Sequence, residues 1–220
     1  MLTGGAGVRA MTLAFEELFA IADAFRGIPM AGRTDSRILS DALTAHGISH
    51  SPIELDRFPA VYADHLAREI EQPGPRKGVM PGVRPLLDAL SARDDVHLAL
   101  LTGNYETTAQ MKLEYFDLWR YFLGGAFGDR APERNDLLPR AVAHVAGCGG
   151  PLVAACDAIV VGDTPLDVAC AQASGARSIA VATGNYAVDE LRAAGADVVF
   201  EDLSDIAAVL AAIQSSGSRK

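Results

Sequence analysis

The 220-residue sequence holds two stretches whose residue types could do chemistry. In AIVVGDTPLD, residues 158–167, Asp163 closes an apolar run and Asp167 follows across a Thr-Pro turn. Two carboxylates at the mouth of a strand suit Mg2+, a hard cation that prefers oxygen ligands. In VHLALLTGN, residues 96–104, another apolar run ends in Thr102, Gly103 and Asn104. A hydroxyl beside free backbone N–H groups suits phosphate oxygens, and a glycine lets the anion approach the chain. Against this stand blander roles: TGN as a plain turn, and Asp163 as the cap of the next helix. Both motifs following apolar runs favours chemistry over turns.

Such residues need a scaffold, and the sequence supplies one. Before Pro81 the spacing predicts helices. VRAMTLAFEELFAIADAF carries Met11, Phe15, Leu18 and Phe19 at helical spacing and places Asp23 inside the first helix. DSRILSDALTAHG begins at a capping Asp35 and stops at Gly47. In SPIELDRF, Ser51, Pro52 and Glu54 form a capping box, and Pro59 is expected to kink or split that helix. QPGPRKGVMPG reads as a linker.

After Pro81, helix and strand alternate: VRPLLDALSA, VHLALL, ETTAQMKLEYF, a short strand near GAFG, RNDLLPRAVAHV bent or restarted by Pro139, AIVVG, PLDVACAQA, SIAVA, AVDELRAAG, DVVF and SDIAAVLAAI. The strands are continuously apolar, as in a parallel sheet covered on both faces. The expected fold is α/β: a doubly wound parallel-sheet core at 80–220 behind an N-terminal helical domain at 1–79. Ligands bind such sheets beyond the carboxyl ends of the strands, where both motifs fall.

Bulk properties exclude other roles. A net charge of −9 and a pI near 5.0 argue against nucleic acid or an anionic membrane as partner. No apolar run approaches the ~20 residues of a membrane span. No secretory signal is visible, and three cysteines without a C-x-x-C pair read as buried reduced thiols in a cytoplasmic protein. Gly5-Ala6-Gly7-Val8-Arg9-Ala10 matches a dinucleotide-binding pattern but lacks the strand that gives it meaning. TGNY recurs at 183–186, where Thr183 reads as a loop residue. His46 and His50 read as polar surface or interdomain residues, and Trp119 with Tyr115, Phe116, Tyr121 and Phe122 as packing.

LLTGN, Arg134 within GDRAPERNDLL, and VVGDTPLD resemble motifs two, three and four of the haloacid dehalogenase superfamily, in its phosphoglycolate-phosphatase-like branch with a helical cap. The likeness covers nearly the whole chain, and GDTPLD is its most specific element. It implies a Mg2+-dependent phosphomonoester hydrolase acting on a small phosphorylated metabolite through an aspartyl-phosphate. Thr102 would grip the phosphoryl group, aided by Gly103 and Asn104. Arg134 would balance transition-state charge, Asp163 would bind Mg2+, and Asp167 would ligate the metal or steady its water. Arg33, in AGRTD, is the candidate for reading substrate. The expected state is a monomer or weak homodimer.

The superfamily's first motif, Asp-x-Asp after an apolar strand, occurs nowhere in the 220 residues. The expectation is a chain truncated by a late start, with a gap of about 10 Å at the sheet centre and no turnover of its own. The alternatives are a non-catalytic phosphate-binding remnant or an interaction protein. Dehalogenation would leave the Asp163/Asp167 pair idle. Phosphonate cleavage would need a lysine in the cap, where only Lys77, in the linker, lies near.

Overall fold

The computed structural model describes residues 1–49, 52–129 and 133–215. It divides into two compact units, one of Met1–Val79, Thr102–Arg120 and Phe127–Glu133, the other of Met80–Leu101, Tyr121–Ala126 and Arg134–Lys220.

The first unit is helical: α1 (Ala6–Phe19), α2 (Asp35–Ala45), α3 (Pro52–Glu69) and α5 (Glu106–Tyr115). Apolar residues at helical spacing make its core, with Met11, Phe15, Ile38, Leu43, Phe58, Tyr62 and Leu66 all buried. The helix predicted through Asp23 stops at Phe19, because Ala20 turns left-handed at φ 57°. Asp23 therefore lies in a turn, also left-handed at φ 51°. Thr34, not Asp35, caps α2, its side chain accepting the Arg37 N–H at 3.3 Å. Pro59 neither splits α3 nor ends it; the helix runs on as one element. Ser51 of the predicted capping box, like His50, lies outside the described residues. His46 is exposed, as a polar surface residue, with a ring nitrogen 2.9 Å from the Ala24 carbonyl.

The second unit carries the strands. Helix α4 (Val83–Ser91) precedes β1 (Leu100–Leu101), shorter than the predicted run from Val96. Then come β2 (Gly125–Ala126), α6 (Leu137–Gly147), β3 (Ile159–Gly162), α7 (Pro165–Ala173), β4 (Arg177–Val181), α8 (Val188–Ala193), β5 (Val198–Phe200) and α9 (Ile206–Gln214). Pro139 is tolerated because a 3-10 turn at Arg134–Asp136 leads in, leaving the proline in the first turn of α6.

Every strand pairing is parallel. Successive residues of β4 face opposite ways. Ala180 packs with Val168 of α7 and Leu191 of α8, while Val181 packs with Leu86 of α4 and Val209 of α9. Helices thus cover both faces of this sheet, the predicted α/β arrangement. Among the described residues the strands form two pieces, β1-β2 and β3-β4-β5, with β1 and β3 unpaired to each other. On β3, the edge of its piece, Val161 is 46% exposed. Cys170 is buried, but Cys148 and Cys156 are exposed, contrary to the reading of all three as buried thiols. No described helix is long and apolar enough to cross a membrane.

Candidate active site

The sequence-predicted residues fall into one group in each unit. In the second unit, β3 runs into Asp163 and then α7. Thr164 is the N-cap of α7, and Pro165 stands at the first turn. The Asp167 carboxylate folds back so that Oδ2 accepts the Thr164 N–H at 3.0 Å and its hydroxyl at 2.8 Å. Gly162 permits this fold, since a Cβ there would run into the Asp167 carboxyl group. The other oxygen of Asp167 accepts from Arg134 Nη2. This ion pair is nearly dry, with side chains 13% and 8% exposed. Arg134 is therefore no surface residue. The turn ahead of α6 aims it inward, and its carbonyl accepts from Cys170 Sγ at 3.2 Å.

Asp163 is left over from the capping: Thr164 and Asp167 do that work. Its carboxylate faces Gly184, where a Cβ would come within 2.5 Å of Oδ2. Burial raises the Asp163 pKa above its ordinary value, and the charge of Asp167 raises it further. Neighbouring carboxylates either retain a proton or draw in a cation, and Arg134 already supplies a cation to Asp167. Mg2+ commonly takes one or two carboxylates and keeps water or phosphate for its other positions. Asp163 offers such an ion one carboxylate, while Asp167 is already committed to Thr164 and Arg134. The described residues contain no group of three or more His, Cys, Asp or Glu side chains suited to a metal.

In the first unit, Thr102 Oγ1 accepts the Asn104 N–H at 3.2 Å and so shapes the turn after β1. Gly103 is packed so tightly on the Arg33 carbonyl and Thr34 that a Cβ would collide with backbone. The Asp35 N–H donates to the Gly103 carbonyl at 2.6 Å, and the Tyr105 N–H donates to Asp35 Oδ2 at 3.0 Å. Gly128 lies against the Gly103 carbonyl and donates its N–H to the Asn104 carbonyl at 2.8 Å. The Arg33 carbonyl packs against Gly103, while its guanidinium pairs with Asp41. Lys77 is likewise engaged, on the Ile70 and Gln72 carbonyls and the Tyr115 hydroxyl.

Sequence reasoning missed Asp35, Lys112, Tyr62 and Gly184. For Lys112 a signal existed: with Thr108, Ala109 and Leu113 it makes up the buried face of α5. For Gly184 the signal was the repeated TGNY at 183–186, read there only for Thr183 as a loop residue.

Fold and geometry define a class: a parallel α/β protein with carboxylates, an arginine and a hydroxyl loop following its strands. Comparison with known proteins gives the same class. A family of HAD-hydrolase-like proteins matches residues 135–206. The chain is 31% identical over 193 residues to the phosphoglycolate phosphatase of Rhodospirillum rubrum, covering 86% of this chain and 77% of that one. To the phosphoglycolate phosphatase of Pseudomonas fluorescens it is 29% identical, covering 72% of this chain but only 53% of that protein. In fold it is similar to a hydrolase from Pseudomonas syringae, with TM-score 0.65, 23% identity, and coverage of 94% and 91%. It is also similar to a haloacid dehalogenase-like family protein from Streptococcus pneumoniae, with TM-score 0.58, 18% identity, and coverage of 94% and 91%. The chain belongs to the haloacid dehalogenase-like hydrolases, in their phosphoglycolate-phosphatase-like branch.

Proposed function

We propose that these residues serve Mg2+-dependent hydrolysis of a small phosphomonoester, with 2-phosphoglycolate the first substrate to assay. The observation that carries this reading is the dry Arg134–Asp167 pair next to Asp163, a carboxylate that no helix cap uses. The kinship with phosphoglycolate phosphatases supports the choice of substrate.

Each residue then has a task. Thr102 accepts the Asn104 N–H and donates its own hydroxyl hydrogen to a phosphoryl oxygen, and Gly103 presents its backbone N–H to the same anion. Asp163 holds Mg2+, which when bound supplies positive charge against the phosphoryl oxygens. Asp167 holds Arg134 and the first turn of α7 in place, and Arg134 offsets the negative charge that grows during transfer. Arg33, whose Nη1 pairs with Asp41, turns its other N–H groups to the rest of the substrate, a part in recognition. A nucleic acid or a membrane has no place in this scheme.

A second reading is phosphate binding without turnover, for which a hydroxyl and backbone N–H groups of the Thr102–Asn104 loop suffice. One experiment separates the two. Phosphate release from 2-phosphoglycolate is measured for the 220-residue chain and for a version extended by an apolar strand ending Asp-x-Asp-Gly-Thr before Leu2. The hydrolase reading expects Mg2+-dependent release from the extended version only, abolished by Asp163→Asn. An extended version that folds but stays inert toward small phosphomonoesters refutes it and leaves the binding reading.

A further inference from the structure

Three helices of the first unit converge on one buried ammonium group. Lys112 of α5 is 7% exposed, and its Nζ donates to the Tyr62 hydroxyl of α3 at 3.0 Å. It also donates to Asn104 Oδ1 at 2.8 Å. Gly7 of α1 makes room for it, since a Cβ there would sit 3.3 Å from both Nζ and the Tyr62 hydroxyl. That is the use of Gly7 in the GAGVRA stretch, which borders the lysine.

The opposite charge is Asp35, itself 4% exposed. Burial pushes the Asp35 carboxyl up and the Lys112 amine down, and the charge of each draws the other back. A charge pair placed so deep is a poor way to gain stability, because apolar residues of similar volume serve as well or better. Its reason lies in what it touches. Asp35 grips the loop on either side of Asn104, by its own N–H to the Gly103 carbonyl and by its carboxylate from the Tyr105 N–H. Lys112 grips the Asn104 side chain between them. Thr102 is the residue just before this clasp.

We propose that Lys112 and Asp35 are positioning residues that hold the Thr102–Asn104 loop in its anion-binding shape, so that a buried charge pair sets the loop's affinity for phosphate. The inference rests on the phosphate-binding role given to Thr102 above.

The test is a titration of the 15N-labelled full chain with inorganic phosphate, read from the amide resonances of Thr102, Gly103 and Asn104, with a thermal melt on each sample. Lys112→Met alone strands the Asp35 charge and lowers the melt. Lys112→Met with Asp35→Asn removes both charges, keeps an acceptor for the Tyr105 N–H, and brings the melt back toward the parent. Phosphate affinity in that double variant should remain weaker by about tenfold, the worth of one hydrogen bond from a charged donor. The Gly128 amide, which bonds to the Asn104 carbonyl, should also exchange faster. If affinity returns together with the melt, the pair is only structural and the inference is overturned. If the parent shows no response to phosphate at these amides, the role of Thr102 falls, and the inference falls with it.

Discussion

Gly103→Ala should unfold the first unit far more readily than a surface glycine substitution. The added Cβ would collide with the Arg33 carbonyl and approach Thr34 Cα, both backbone, so no side chain can swing aside. Relief requires the loop to part from the start of α2. Parting breaks the Asp35 N–H bond to the Gly103 carbonyl and the Tyr105 N–H bond to Asp35. Each is worth about 1 kcal/mol net, and more where a buried donor is stranded. Overpacking adds about 1–3 kcal/mol. The expected loss is therefore about 3–5 kcal/mol, a large share of the roughly 5–15 kcal/mol that holds an ordinary domain together. Trp119, the one tryptophan, stacks on Phe127 with ring centroids 6.3 Å apart inside the same unit. Its fluorescence during urea unfolding reports on this unit directly. Gly147→Ala, in the second unit, is the control: a Cβ there meets nothing within 4 Å, and the Trp119 transition of the first unit should shift by less than about 1 kcal/mol. A Gly103→Ala loss as small as the control would refute the idea that the loop and α2 are locked backbone to backbone.

Arg134→Met should destabilise the second unit by about 3–5 kcal/mol, because it strands the Asp167 carboxylate, 8% exposed, without its cation. Arg134→Lys should recover part of that loss, as measured by urea titration followed by circular dichroism. Stability against pH should show the raised pKa of Asp35. A carboxyl whose folded pKa lies above its ordinary 3.8 holds its proton more tightly in the folded state. Its stabilising contribution is complete below 3.8 and is lost as pH rises through the folded value. The unfolding free energy of the parent minus that of Asp35→Asn should thus fall with rising pH above 3.8, and a difference that rises instead would contradict the assigned cause.

The strand ends were legible because they are local. An apolar run followed by GDTPLD fixes a strand, a turn and a capped helix within ten residues, and the structure has β3, Thr164 as N-cap and α7 in that order. Helix limits were legible only where a local signal was decisive. Pro59 misled because a proline forbids one hydrogen bond and crowds one carbonyl, costs that the buried Phe58, Tyr62 and Leu66 on the same helix outweigh. Asp35 misled for a different reason. As a short carboxylate next to a helix start it suits capping, but Thr34 already had that place and Asp35 was needed by Tyr105.

What the sequence hides is which polar groups meet at long range. GDTPLD alone offers Asp167 as a ligand of the metal or a support of its water; that its oxygens also accept from Thr164 and Arg134 shows only in the fold. Lys112 reads as an ordinary charge on a polar helix until its neighbours on α5, Thr108 and Ala109, are seen to be buried as well. The glycines carry the same lesson in reverse. Gly103 and Gly184 look like turn residues and Gly162 like a strand end, yet each is fixed by a group that a Cβ would strike: the Arg33 carbonyl, the Asp163 carboxylate and the Asp167 carboxyl group, in that order. A glycine beside a functional carboxylate or loop thus marks where another part of the chain must come close, and it names the approach without naming the partner. Chemistry at the strand ends is written in short motifs, while the packing that aims it is shared among residues far apart in the chain.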